Sequence, residues 1–259
     1  MKYPMPSGKT KLHSYGATNV GRKRVTNEDA FLVDDEIGLY VVADGMGGHA
    51  AGEVASQEAV ETIYGMVKQG LRALPQIVGE LTNEHARSAC RLFEGAVQAA
   101  TYMVYALAEL DREKSGMGTT ISALLALGEY AVTAQVGDSR IYQVREGKVM
   151  QITEDHTLIS WQIKQGLITP EEAKRSPHRN VITRAVGNRD YVEVDTGLVT
   201  LAPGDRFLLC SDGLHGYLRE EEISVVTFLG PEHSVRRFIE MANERGGKDN
   251  ITAILVEVD

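Results

Sequence analysis

Apolar and polar positions change period several times along the chain, and each change marks an element. Apolar runs rich in β-formers come first, Ala30 to Val33 and Leu39 to Ala43, separated by the turn-forming Asp34-Asp35-Glu36, which predicts a hairpin. From Glu53 the spacing becomes helical, with Ala55, Ala59, Ile63 and Met66 on one face. Beyond a loop around Pro75, Ala86, Cys90, Phe93, Val97, Ala100, Val104 and Leu107 recur at alternating helical steps. Leu92, Ala96, Ala99, Met103 and Leu110 widen that stripe past a coiled-coil seam, so the pattern predicts a long helix laid on a sheet.

Strand character returns from Thr119 to Thr153. Gly128-Glu129 divides Ile121 to Leu127 from Tyr130 to Val136, and Glu146-Gly147 divides Ile141 to Val144 from Val149 to Ile152, as the turns of an antiparallel meander. Glu154 to Asp190 is polar, contains Pro170 and Pro177, and suits an excursion over the surface with short helical pieces. Strands resume at Val192 to Thr200, Arg206 to Cys210 and Ile251 to Glu257, with helical stretches at Glu220 to Phe228 and Ser234 to Arg245. Helices segregate from runs of strands, which favours an α+β layered sandwich over a doubly wound parallel sheet. No repeat of fixed period and no low-complexity segment interrupts the 259 residues, a length that one large domain can hold.

Composition narrows the classes. Hydrophobic residues make up 43% and charged residues 24%, ordinary for a globular chain. The opening MKYPMPSGKT has no signal-like apolar stretch, and nowhere are there the roughly 18 consecutive apolar residues of a membrane span, so a cytoplasmic protein is expected, with no membrane partner. Only Cys90 and Cys210 are present, far apart, which disfavours a disulfide framework or a cysteine-built metal site. The Asn250-Ile251-Thr252 sequon is a chance match without a secretory signal. A formal charge of −9 argues against nucleic acid as a partner. That figure describes the apoprotein, since bound divalent cations would offset part of it.

The placement of aspartates carries the chemistry. Asp44 ends the run from Leu39, Asp138 follows Ala131 to Gly137, Asp212 follows Phe207 to Ser211, Asp249 stands just before Ile251, and Asp29 opens the first strand. A single Asp-Gly pair is ordinarily a turn. Asp44-Gly45 and Asp212-Gly213, however, lead into glycine-rich or helix-like sequence and not into the return strand of a hairpin. Carboxylates that converge need cations or protons to compensate their repulsion and desolvation. Aspartate oxygens with a backbone carbonyl, and no cysteine or paired-histidine motif, suit Mg²⁺ or Mn²⁺ better than Zn²⁺. Two such ions can activate a bridging water for in-line attack at phosphorus.

Arg24-Val25-Thr26-Asn27-Glu28-Asp29, VVADGMGGHAAGE from Val41 to Glu53, Gly118-Thr119-Thr120, Gly137-Asp138-Ser139-Arg140, Ser211-Asp212-Gly213-Leu214 and Asp249-Asn250 resemble, in order, the motifs of the metal-dependent type 2C serine/threonine protein phosphatases, in their bacterial form. The resemblance runs from about residue 14 to the C-terminus. It implies a four-layer α-β-β-α sandwich, two mainly antiparallel sheets flanked by helices, forming one catalytic domain over residues 1–259 with a flap at about 154–190. It implies hydrolysis of phosphoserine and phosphothreonine by a metal-bridging water, opposing serine/threonine kinase signalling. Asp44 would bridge two Mn²⁺ or Mg²⁺ ions, the Gly45 carbonyl would bind one and Asp212 with Asp249 the other. Asp29 would act mainly through metal-bound water. Asp138 with Asp212 would help hold a third, weaker ion. Arg24 would grip the substrate phosphate bidentately. The catalytic set is thus Arg24, Asp44 and Asp212. The expected partners are phosphoproteins, including a serine/threonine kinase, and the expected state is a monomer.

Some relatives carry a histidine directly after the Asp-Gly pair as the acid for the leaving oxygen. Met46 stands there, leaving His49 or water for that task. In the flap, Lys174, Arg175, His178, Arg179 and Arg184 form a basic face that either confers solubility or guides an anionic phosphopeptide. Other phosphate chemistries fail on spacing. A C-x₅-R nucleophile loop is absent, since Gly216 and Ala96 stand where the arginine would be, and Gly246-Gly247-Lys248 is followed by Asp249 where a phosphate loop needs Ser or Thr. A binding module that had lost turnover would lack metal aspartates, and all five are in place.

Overall fold

Covering both faces of a sheet turns its strands into nearly unbroken apolar runs, and that is how the central strands here read. The computed structural model of the protein describes residues 11–47, 51–74 and 83–259. The strands are β1 (Leu12–Asn19), β2 (Asp29–Asp34), β3 (Leu39–Met46), β4 (Gly118–Thr119), β5 (Ile121–Leu127), β6 (Tyr130–Val136), β7 (Arg140–Arg145), β8 (Lys148–Gln151), β9 (Asp195–Thr200), β10 (Arg206–Cys210) and β11 (Ile251–Val258). The helices are α1 (Ala51–Gly70), α2 (Asn83–Leu110), α3 (Leu158–Lys164), α4 (Pro170–Ala173), α5 (Asp212–His215), α6 (Glu220–Val226) and α7 (Pro231–Glu244). One sheet runs β1-β11-β10-β7-β8 and the other β2-β3-β5-β6-β9, with β4 against β3, and the described pairings are antiparallel.

Alternation along each strand sorts side chains into three apolar layers. Leu39 and Val41 face α1 and α2, while Tyr40 and Val42 face the opposing sheet. Leu208 and Cys210 face α6 and α7, while Phe207 and Leu209 point back between the sheets. The order is therefore helix, sheet, sheet, helix, the four-layer α+β sandwich expected.

Several sequence expectations shift. The strands from Ile121 to Gln151 are not one meander, because β5 and β6 pair in one sheet and β7 and β8 in the other. The chain crosses at Gly137, whose φ of +99° only glycine adopts without strain. The hairpin turns themselves are as expected, with Gly128 at φ +66° and Glu146-Gly147 at +51° and +76°. Strand β1 was not foreseen: its polar and small residues lack an apolar run, and Gly16 is there because the Phe31 ring occupies the space a Cβ would need. Strand β9 starts at Asp195 and not at Val192. Met66, Met103 and Leu110 lie on the solvent side of their helices, the buried stripe being carried by Val67, Phe93, Ala96, Val97, Ala100 and Val104. The loop around Pro75 falls outside the described residues.

Residues 154–190 fold back on themselves. Thr157 bridges Ile182, and the return segment is tied to β4 by the Thr119–Val186 bridge. Thr157 caps α3, and Thr169 with Glu172 forms a capping box on α4. Core burial implies a sharp contrast between faces of α2. Phe93→Ala, at a fully buried ring, is expected to lower unfolding free energy by about 3–5 kcal/mol. Tyr102→Ala, 60% exposed, should change it by less than about 0.5 kcal/mol, both read from urea denaturation.

Candidate metal centre

The rows that fill the space between the sheets turn polar at one end. Two residues beyond Phe31 stands Asp29, beyond Val42 stands Asp44, beyond Ser122 stands Thr120, beyond Ile141 stands Ser139, beyond Leu209 stands Ser211, and beyond Ile254 stands Thr252. The period of two places all of them on the inter-sheet side. Register puts Asp29 directly opposite Asp44 across the β2–β3 pair. From the other sheet, the Ser211 hydroxyl donates to Asp29 Oδ2 at 2.9 Å and the Thr252 hydroxyl donates to the same oxygen at 2.6 Å.

Asp29 Oδ1 is buried and has no hydrogen-bond partner among the described residues. An unsatisfied buried acceptor is unfavourable by about 1–3 kcal/mol. Burial pushes the Asp29 carboxyl up to about 7 despite its two hydroxyl donors, and the charges of Asp212 and Asp249 push the same way. Asp44, half-buried, is raised well above the carboxylate range by burial and then by Asp29, Asp212, Asp138 and Asp249. Asp212, at the start of α5, is raised by burial and by Asp249, while its hydrogen bond with Asp44 opposes the rise. The Asp44 backbone is fixed by exchange with Thr120, whose Oγ1 accepts from the Asp44 N–H at 3.0 Å and whose N–H donates to the Asp44 carbonyl at 2.9 Å.

Asp138 sits on the crossover between the sheets, pushed up to about 7 by burial and by Asp212 and Asp155. Its loop is held from several sides. Gln135 Nε2 donates to the carbonyls of Gly137 and Ser139, at 3.1 and 2.7 Å, and His215 Nε2–H donates to the Asp138 carbonyl at 2.9 Å. Burial depresses His215 to about 3, so this imidazole is neutral and serves the loop as a donor. Beside it, Arg140 makes a forked ion pair with Asp155 and a bond to the Tyr142 hydroxyl.

Arg24 reaches the rim of the cluster, where its Nη2 donates to Asp249 Oδ2 at 2.9 Å. Gly45 and Gly213, directly after Asp44 and Asp212, are packed against backbone: a Cβ on Gly45 would strike the carbonyl oxygens of Gly52 and Glu28, and one on Gly213 the carbonyl of Asn250. His49, the other candidate acid, lies outside the described residues. Among the described residues no three acidic, histidine or cysteine side chains already form a finished cage, Asp249 being turned to Arg24. The structure thus brings Asp29, Asp44, Asp138, Asp212, Asp249, Gly45 and Arg24 to one end of the sandwich.

The family model of protein phosphatase 2C matches residues 18–256. The chain belongs to the protein phosphatase 2C family. It is 37% identical over 253 residues to the serine/threonine phosphatase stp of Listeria monocytogenes, covering 96% of each. It is 37% identical over 240 residues to the serine/threonine protein phosphatase PstP of Mycobacterium tuberculosis, covering 92% of this chain and 43% of that longer protein. Among solved structures, PstP/Ppp of Mycobacterium tuberculosis superposes with a TM-score of 0.84 at 33% identity, over 96% of this chain and 99% of that one. The catalytic domain of PstP in complex with two manganese ions gives 0.80 at 34% identity, over 95% and 98%.

For a protein phosphatase 2C chain, the donor set fits hard divalent ions: carboxylate oxygens throughout, one of them buried without a partner among the described residues, and a depth at which their charges repel. Sequence reasoning named the aspartates but not what supports them. Thr120, Ser139, Arg140 and Ser211 stood inside the ordered motifs with no role attached to them, Thr252 was visible only as a polar residue in an apolar run, and Asp155, His156 and His215 gave no spacing signal.

The raised carboxyls set a pH dependence for the metal-free protein. Asp29 titrates near 7 when folded and near 4 when unfolded, so across that window the folded state keeps a proton that the unfolded state releases, and raising the pH destabilises. Asp29→Asn lacks this loss. In chelator, the stability of Asp29→Asn relative to wild type is expected to rise between about pH 5 and about pH 8, read as urea midpoints. An equal gap at both pH values would contradict the burial of Asp29.

Proposed function

We propose that the chain is a metal-dependent protein phosphatase acting on phosphoserine and phosphothreonine. The observation that carries this is the buried oxygen of Asp29, unpartnered among the described residues, on a residue that stands opposite Asp44 across β2–β3, in a chain of the phosphatase 2C family. Asp44 and the Gly45 carbonyl would hold one ion, and Asp44, Asp212 and Asp249 the other. Asp138 with Asp212 suits a third, weaker ion. When bound, the ions supply a nucleophilic water at neutral pH and offset charge on the phosphoryl oxygens.

The chain's own groups do the rest. Asp29, fixed by Ser211 and Thr252, is placed to accept a hydrogen bond from water and orient it. Arg24 is half exposed and already at the rim, and exchanging Asp249 for two phosphate oxygens would anchor the substrate. His215 is neutral and engaged with the Asp138 carbonyl, so it positions that loop, and solvent water protonates the leaving oxygen. Residues 1–259 act as one catalytic domain, with 154–190 as a flap beside the site. The substrates are phosphoproteins, among them a partner serine/threonine kinase, and the enzyme works as a monomer in the cytoplasm. Among the described residues no helix is long and apolar enough to cross a membrane.

The direct test is phosphate release from a phosphothreonine peptide with and without Mn²⁺, with a phosphotyrosine peptide as control. Metal-dependent turnover is expected, falling by at least ~100-fold in Asp212→Asn. Arg24→Ala should lower kcat/KM by about 10- to 100-fold, the worth of hydrogen bonds to a charged group. No turnover by folded wild-type protein in Mn²⁺ would overturn the proposal.

A further inference from the structure

A cleft of about 580 Å³ opens at the aspartates, lined by Asp138, Asp212 and Asp249, by Lys174 and Arg179 from the 154–190 segment, and by Lys248. That volume is in the range of sites holding ligands far larger than one phosphoryl group, so several residues of a substrate have room in it. The cations around it fall into two sets. Arg140 is spent on Asp155 at 2.7 Å, Arg184 on Glu193 and Asp195, both at 2.7 Å, and Arg24 on Asp249. Arg179 and Lys248, by contrast, have no acidic partner among the described residues. Among the described residues Lys174 pairs with Glu171 alone, at 3.8 Å with both side chains about three-quarters exposed, a pair of little strength.

Unpaired cations lining a cleft stand out in a chain of net charge −9. Lys248 is also rigidly placed, directly before Asp249 in the chain. Its N–H donates to the Tyr217 hydroxyl at 3.2 Å, and the preceding Gly247 carbonyl accepts from the Arg22 N–H at 2.7 Å. The Arg179 turn is held by the Val181 N–H donating to the His178 carbonyl at 3.1 Å.

Resting on the phosphatase function above, we propose that Arg179, Lys174 and Lys248 form a subsite for a second anionic side chain, a carboxylate or a second phosphate, adjacent to the phosphorylated residue of the substrate. A phosphoresidue seated at the aspartates puts its chain neighbours in this cleft, whose lining carries the Lys174 and Lys248 ammonium groups and the Arg179 guanidinium. Of the flap cations named from sequence, Lys174 and Arg179 are the ones that line it. Arg184 is consumed internally, and Arg175 and His178 lie outside it.

The test compares phosphothreonine peptides whose neighbouring residue is glutamate, a second phosphothreonine, alanine or lysine, each kcat/KM divided by the same protein's turnover of p-nitrophenyl phosphate. Wild type is expected to prefer either anionic neighbour over lysine by about 10-fold, the scale of a charge-assisted hydrogen bond. Arg179→Glu combined with Lys248→Glu should invert that ratio. Arg179→Glu alone, at an exposed turn, should lower it in the same direction, while Arg175→Glu, with the same charge change outside the cleft, should keep most of it. A ratio near one in wild type overturns the subsite, as does an unchanged ratio in the double variant. An equal shift in Arg175→Glu overturns it in favour of a diffuse surface field. Absence of turnover on every peptide overturns the phosphatase function and this subsite with it, whereas turnover with a flat ratio overturns the subsite alone.

Discussion

The packing of two sheets face to face is the constraint on which the rest depends. Phe207, Leu209, Ile254, Val256, Tyr40, Val42 and Leu124 fill the space between them and are fully buried or nearly so. Each such side chain stabilises the sandwich by about 1.5–3 kcal/mol, enough together to hold the ends of the facing strands in fixed relation. At one end the same rows continue as Asp29, Asp44, Thr120, Ser139, Ser211 and Thr252. Hydrophobic packing along the strands thereby forces carboxylates together that would separate if free.

That end is braced by a buried polar network and not by apolar contacts. Ser122 donates to Gln135 Oε1 at 2.6 Å, Gln135 secures the crossover loop, and the Ser139 and Thr120 hydroxyls meet at 2.8 Å before Thr120 reaches the Asp44 backbone. The network continues into the segment from Glu154. The Gly137 N–H donates to His156 Nδ1 at 3.2 Å, and the His156 N–H donates to the Gly137 carbonyl at 2.8 Å. With Nδ1 accepting, Nε2 carries the proton and donates to Asp195 Oδ2 at 3.0 Å. The loop that carries Asp138 and the base of the segment that carries Arg179 are thus one hydrogen-bonded unit. Fully satisfied networks of this kind rigidify a site, which is what aspartates need if they are to keep separation while charged.

Sequence revealed the aspartates because each interrupts or ends an apolar run, and the ordered motifs around them were enough to indicate the family. The layering was legible for the same reason, since strands covered on both faces show as unbroken hydrophobic runs. What stayed hidden follows from the limits of local pattern. Strand β1 has no apolar run to detect, and the passage from β6 to β7 looks like any turn although it changes sheet. Ser211 and Thr252 read as strand ends, yet they fix Asp29 from the other sheet across a gap in sequence of 182 and 223 residues. The cations of the flap could be counted in sequence, but only the fold separates Arg179, which lines the cleft with no acidic partner among the described residues, from Arg184, paired with Glu193 and Asp195.

The central claim is that these carboxylates are held together against their own repulsion in order to bind divalent ions. Calorimetric titration of chelator-treated protein with Mn²⁺ tests it most directly, with Asp44→Asn alongside. Uptake of two ions per chain, as the PstP catalytic domain holds, is predicted for wild type, with tight binding lost in Asp44→Asn. No binding by folded wild type, or equal binding by the variant, would contradict the account.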